Sequence, residues 1–326
     1  MTRAGSVLTV ILIIQLIAVP GRAEPTVPAN PTASNASELW IVNTRCVSSC
    51  SEHGFDDPAV RFQRFDGEDR WIDVDRRDFF ATGSADVPTS FVIHGNQVDS
   101  CEAIQRGHAL RRLLECAAPD RPFRVVVWSW PAGRVTRSIR DDVRIKAARS
   151  DVEAFGLAQC VERISPDVPV AMVGHSFGAR VITGALHLLA GGELACRRLE
   201  PRDDRPRRAV RAVLFAAAVD NGSLLPGWRN GEALDEVERM LVVRNGNDRI
   251  LRWYPRMYGR GGPEALGFTG PACVAQVGEN RDKIEILDAS CSVGRGHGWF
   301  EYLCGSSLHA RLPWFAFLEP EAESQP

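Results

Sequence analysis

Charge imbalance is missing from this 326-residue chain: 39 Lys and Arg face 41 Asp and Glu, a net charge of −2. A nucleic-acid or anionic-membrane partner needs a basic field that this balance does not supply, so neither is expected. The local basic clusters, Arg197-Arg198 and Arg205–Arg211, flank Asp203 and Asp204 and read as a solvated loop. Paired Cys-x-x-Cys motifs are also absent, and no histidine is spaced to complete a zinc set. The chain is therefore read as free of metal. No internal repeat and no second apolar core appear, which leaves one domain at about residues 38–320.

What is present begins with the N-terminus. Arg3 precedes the apolar run Val7–Val19, which is too short to span a bilayer comfortably. Small residues follow up to Ala23. This is the pattern of a secretory signal at residues 1–23, cleaved after Ala23, with an uncleaved anchor as the alternative. The protein is thus expected to be exported, with no stable membrane span after cleavage. Residues 24–37, rich in Pro, Ala, Asn, Ser and Thr, read as a disordered linker, and the acidic end, residues 321–326, as a frayed tail.

All nine cysteines lie beyond the signal. In an oxidising compartment some should pair, and sequence proximity suggests Cys46 with Cys50 and Cys273 with Cys291. Cys160 falls in a helical pattern and reads as a buried apolar residue. Asn35 and Asn221 open glycosylation acceptor patterns, which matter only in a eukaryotic source.

Apolar content is 44% and charged content 25%, both ordinary for a globular protein. Strands are expected at Leu39–Val42, Trp71–Val74, Ser90–Ile93, Arg124–Trp130, Val170–Val173, Val210–Ala217, Met240–Val243 and Lys283–Leu287. Residues 46–69 read as polar and turn-rich. Helices are expected at Cys101–Cys116, Ser138–Ile164, from the turn at 174–178 to Gly191-Gly192, at Glu232–Glu238 and from Trp299 to Cys304. After the first two strands, strands and helices alternate. That order argues a mostly parallel sheet with helices on both faces.

One stretch organises the rest. Val170–Val173 is a short apolar strand, Gly174-His175-Ser176-Phe177-Gly178 a five-residue turn, and an amphipathic helix follows. A serine hydroxyl is a poor nucleophile, and a sharp strand-to-helix turn lifts it out of the fold. The flanking glycines, Gly174 and Gly178, let strand and helix pass closely, and the helix start supplies backbone N–H groups. In such a sheet, functional groups gather beyond the carboxyl ends of the strands. His94-Gly95-Asn96, Asp220, Asp248 and His297 all meet that condition. The roles follow: Ser176 attacks an acyl carbonyl, His297 carries its proton, and an aspartate orients the imidazole. The oxyanion would be held by the N–H groups of Phe177 and Asn96. His309 is the spare base. His94 and His175 read as shaping the oxyanion loop and the elbow. Trp128 and Trp130 read as core residues, with a pocket wall as the lesser possibility.

His94-Gly95-Asn96, the Gly174–Gly178 elbow, Asp248 and His297, in that order, resemble the α/β-hydrolase superfamily, and the match spans most of the mature chain. The strand ending Trp128-Ser129-Trp130-Pro131, followed by a long helix and then the elbow, is similar to poorly characterised exported bacterial members. The resemblance implies the α/β-hydrolase fold with a mostly parallel, roughly eight-stranded sheet. It implies hydrolysis of an ester, thioester or amide in a small-molecule or acyl substrate, without a cofactor. It favours Asp248 over Asp220 as the acid, because the acid in this fold follows the penultimate strand. The oxyanion loop lacks the longer His-Gly-Gly-Gly form, and no lid domain is evident, although residues 221–236 and 250–275 are placed to cover the site. A non-catalytic binding protein that keeps the fold is the alternative reading.

Overall fold

Three strands with every residue buried form the centre of the sheet: β4 (Thr89–Ile93), β5 (Arg124–Ser129) and β6 (Val170–His175). Runs of this kind suit strands covered on both faces. These positions come from a computed structural model, which describes residues 37–48, 53–68, 70–200, 208–259 and 261–318. The expected signal, the tail, Asn35, Cys50 and all but the last residue of the expected linker lie outside the described residues.

The sheet has nine strands in the order β3-β2-β1-β5-β4-β6-β7-β8-β9. The remaining strands are β1 (Glu38–Asn43), β2 (Arg61–Phe65), β3 (Trp71–Val74), β7 (Val210–Phe215), β8 (Arg239–Arg244) and β9 (Ile284–Asp288). β2 alone runs antiparallel, against β1 and β3; every other pairing is parallel. Register positions the site. Ile93 pairs with Gly174 and His175 with Phe215, so the loops after β4, β6 and β7 emerge side by side.

Side-chain alternation along the strands feeds two apolar layers. One face sets Trp40, Phe91, Val126, Met172 and Leu214 against α3 (Ile139–Arg163) and α4 (Phe177–Leu189). The other sets Ile41, Val92, Val127, Val173 and Phe215 against α2 (Ser100–Ala117), α8 (Trp299–Leu303) and α9 (Ser306–Phe315). α2 starts at a reciprocal cap: Asp99 accepts from the Glu102 N–H at 2.8 Å, and Glu102 accepts from the Asp99 N–H at 3.2 Å. α4 is buried on every side, so it is a core helix rather than an amphipathic surface one. Among the described residues no helix is long and apolar enough to cross a membrane.

Four further expectations need correction. β2 forms within the stretch read as turns; Phe62 enters the core while Arg61 stays exposed, a half-buried alternation. It brings the strand number to nine. Glu232–Glu238 is a run of turns, because tertiary bonds take the groups a helix would use: the Glu238 N–H, which a helix would give to Leu234 O, donates to Val210 O at 2.8 Å, and Leu234 O accepts from Lys283 Nζ at 2.7 Å. Ile250–Val274, whose many glycines and aromatics read as irregular chain, includes α5 (Tyr254–Tyr258) and α6 (Leu266–Thr269). Finally, the eight described cysteines are all free thiols. Cys273 follows Ala272, whose N–H is bound to Asn221 O, whereas Cys291 follows Ser290, whose carbonyl takes Asn247 Nδ2. Cys273 caps a 3₁₀ helix, Val274–Lys283, Cys291 sits in a short α-helix, Ser290–Val293, and the two do not pair. Cys160 is fully buried on α3.

Candidate active site

The elbow is built by close backbone approach. Ser176 adopts φ +54°, ψ −116°, a conformation that L residues rarely hold. It is pinned there: its N–H donates to Phe215 O, and its carbonyl accepts from Ala179 and Ala218, all at 3.1 Å. The glycines are required by contact. A Cβ on Gly178 would lie 2.1 Å from Ile93 O, and one on Gly174 would lie 2.5 Å from Ile182. A Cβ on Gly95 would lie 2.9 Å from the Ser176 Cβ, so the loop after β4 touches the serine directly. Ser176 occupies the N-cap of α4, yet its hydroxyl makes no capping bond.

That hydroxyl faces His297. Ser176 Oγ lies 3.2 Å from His297 Nε2, and His297 Nδ1 lies 2.7 Å from Asp248 Oδ2. The carboxylate can only accept, so Nδ1 carries the proton and Nε2 presents its lone pair to the serine. Asp248 is fully buried but well satisfied. Oδ1 accepts from the N–H groups of Ile250 (2.9 Å) and Leu251 (3.0 Å), and Oδ2 accepts also from the Tyr302 hydroxyl (3.2 Å). Asn245 ties the two loops together, donating from Nδ2 to Gly294 O at 2.9 Å. Asp220 is engaged elsewhere: its Oδ1 accepts from the Tyr254 hydroxyl at 2.7 Å. His309 stands exposed on α9.

The two motif histidines support the loops. His175 is buried, and its Nε2–H donates to His297 O at 2.7 Å, tying the elbow to the histidine loop. Burial, and then the neighbouring His297, hold its pKa well below the ordinary range. His94 accepts at Nε2 from the Trp130 N–H and from Arg45, both at 3.2 Å. Its proton must therefore sit on Nδ1, which donates to Gly95 O at 2.9 Å. Burial pushes the His94 pKa down to about 3, and Arg45 and Arg106 push the same way. Fixing the Gly95 carbonyl fixes its peptide plane, so the Asn96 N–H is directed to the opposite side. The Phe177 N–H, in the first turn of α4, has no intrahelical acceptor.

Trp128 and Trp130 are fully buried core side chains. Trp130 stacks on His94 with ring centroids 5.5 Å apart, and Trp128 Nε1 donates to Glu153 at 2.8 Å. Segments 221–236 and 250–275 lie beyond β7 and β8 and hold to the chain after β7: Leu266 and Gly267 donate to Val219 O and Ala217 O. Sequence reasoning did not single out Tyr302, Arg45 or Lys146. Only Lys146 left a local trace, an Asp142–Lys146 pair at helical i,i+4 spacing. Among the described residues no group of three or more His, Cys, Asp or Glu side chains could hold a metal ion.

A mostly parallel sheet with helices on both faces and a serine at a strand–turn–helix elbow define an α/β-hydrolase fold. No family model matches the chain, and no curated protein matches it. Solved structures with a similar fold include a gene product of Listeria innocua, at 10% identity over 73% of this chain and 97% of that one, TM-score 0.40. Acyl-protein thioesterase 2 of Zea mays is similar at 14% identity over 71% and 94%, TM-score 0.40. A cutinase-like protein from Cryptococcus sp. is similar at 15% identity over 72% and 96%, TM-score 0.34.

Proposed function

We propose that the protein is a serine hydrolase of ester bonds, with Ser176 as nucleophile, His297 as general base and acid, and Asp248 as the residue that orients His297. The single observation that carries this reading is the unbroken line Ser176 Oγ–His297–Asp248, with separations of 3.2 and 2.7 Å. A binding module has no need of a serine held at a strained backbone conformation against a histidine of defined tautomer.

The chemistry runs as acyl transfer. His297 Nε2 takes the Ser176 proton as Oγ attacks the ester carbonyl, and the oxyanion that forms is met by the Phe177 and Asn96 N–H groups. Asp248 stabilises the imidazolium. Collapse expels the alcohol with the proton from His297. Water then attacks the acyl-enzyme by the same steps and releases the acid. Export belongs to the same proposal, supported by Arg3, the apolar run Val7–Val19 and the small residues up to Ala23. N-terminal sequencing of protein from the medium or cell envelope should then begin at Glu24.

Labelling with a fluorophosphonate tests the enzyme reading. Stoichiometric modification that disappears in Ser176→Ala is expected, together with turnover of nitrophenyl esters. Well-folded protein that neither labels nor hydrolyses a graded-chain ester panel would instead be a binding protein on a hydrolase fold.

A further inference from the structure

Lys146 is fully buried on α3, and its ammonium meets three oxygens. Asn96 Oδ1 lies at 3.1 Å, and the two Asp142 oxygens lie at 3.3 and 3.4 Å. Asp142 is anchored in turn, its Oδ1 accepting from the Val135 N–H at 2.7 Å. A buried ion pair is a costly way to fill space, and an apolar side chain of similar length packs as well without losing hydration. The pair therefore calls for a role that an apolar pair would not serve, and the geometry supplies one. Asn96 is the residue whose backbone N–H the hydrolase reading assigns to the oxyanion.

The turn at Asn96 is not one that holds itself. Gln97, next in the chain, has φ +58°, in the left-handed region that disfavours side chains. Its N–H is shared between Ala132 O at 2.8 Å and Asn96 Oδ1 at 2.9 Å. His94 grips the Gly95 carbonyl on one side of the critical peptide. Lys146 grips the Asn96 side chain on the other.

We propose that Lys146 is a positioning residue for the oxyanion site, acting through Asn96 Oδ1 to hold the Gly95–Asn96–Gln97 turn so that the Asn96 N–H meets the developing oxyanion. The inference rests on the hydrolase reading above. Asp142 holds the ammonium in place. A donor preset at hydrogen-bond distance acts at the moment charge develops and not before, so its loosening falls on kcat and spares KM.

The test is a double-mutant cycle. Lys146→Met/Asp142→Asn removes both charges together, which avoids leaving a buried carboxylate unpaired. It is combined with Asn96→Ala. Each protein is assayed for kcat and KM on nitrophenyl butyrate, for affinity towards a trifluoromethyl ketone that forms a tetrahedral oxyanion on Ser176, and for thermal stability. We expect kcat and ketone affinity to fall about 10- to 100-fold with KM changed less than about threefold. The charge-pair change should cause no further loss once Asn96 is alanine. Unchanged kcat in the charge-pair variant overturns the inference, and so do losses that simply add to those of Asn96→Ala. Wild-type protein that neither hydrolyses esters nor takes the ketone overturns the hydrolase reading, and this inference with it. An active wild type with an unaffected variant overturns this inference alone.

Discussion

If the protein is the proposed hydrolase, replacing Asp248 by asparagine should cost it most of its turnover while leaving it folded. The four donors around the carboxylate decide why. Oδ1 accepts two backbone N–H groups, from Ile250 and Leu251, and these cannot turn into acceptors. An asparagine must keep its carbonyl oxygen there; the flipped amide would set N–H against N–H twice, at about 1–3 kcal/mol for each unsatisfied group. The amide nitrogen then occupies the Oδ2 position, 2.7 Å from His297 Nδ1. It donates, so Nδ1 must become the acceptor and the imidazole proton moves to Nε2. Nε2 then has no lone pair for the Ser176 hydroxyl, 3.2 Å away. A tautomer locked the wrong way costs about 10³- to 10⁴-fold in kcat, or roughly 4–5.5 kcal/mol of activation free energy. Because both backbone bonds to Oδ1 survive, thermal stability should drop only slightly. The assay is ester hydrolysis normalised to folded protein by circular dichroism, with Asp220→Asn measured beside it. Asp248→Asn turnover within about tenfold of wild type would refute the reasoning, and loss of turnover in Asp220→Asn alone would move the role to Asp220.

Three further outcomes are expected. Gly178→Ala drives a Cβ to 2.1 Å from the Ile93 carbonyl oxygen, so strand and helix must part; unfolding should become easier by about 3 kcal/mol or more, read by denaturant titration, with activity lost as well. Glu153 is buried, and burial raises its pKa to about 7. An acid whose folded-state pKa lies above its unfolded value loses stability as pH climbs from about 4.5 to 7, and Gln can accept the same bonds from Thr44 and Trp128. Glu153→Gln should therefore match wild type at pH 4 and exceed it on the order of 2 kcal/mol at pH 8, measured by urea unfolding at both; an equal difference at both would contradict this. Cys160 is buried, and burial raises its thiol to about 12. Iodoacetamide mapping at pH 8 should find it at least about 100-fold slower to react than exposed Cys101 or Cys291, until urea unfolds the protein.

Local chemistry was legible in the sequence, because each such feature is complete within a few consecutive residues. The elbow is one: strand, Gly174, Ser176, Gly178 and helix need no distant partner to be recognised. The buried strands β4, β5 and β6 are another, since continuous apolar runs state their own environment. β2 was not legible, because Arg61-Phe62-Gln63-Arg64-Phe65 carries only a half-buried alternation and becomes a strand by pairing with β1 and β3. The turns at Glu232–Glu238 were likewise decided by distant groups, Val210 O and the Lys283 ammonium, which claim the Glu238 N–H and the Leu234 carbonyl that a helix would have joined.

What the chain order determined alone was a serine-bearing strand–turn–helix elbow, a mostly parallel sheet, and a set of polar residues after its strands. What only the folded chain decided was which of those residues meet. Asp220 and Asp248 both follow apolar strands, and no local signal separates them; His297 touches Asp248, while Tyr254 takes Asp220. Cys273 and Cys291, which proximity in sequence suggested as a pair, are both free thiols. Lys146 showed in the sequence only as half of an i,i+4 charge pair with Asp142, and in the fold it is buried against Asn96. The physical reason is common to all of these. Backbone conformation and burial pattern are set within a turn or two of chain, whereas a hydrogen bond between side chains 49 or 121 residues apart depends on strand order and register. Those are properties of the assembled sheet.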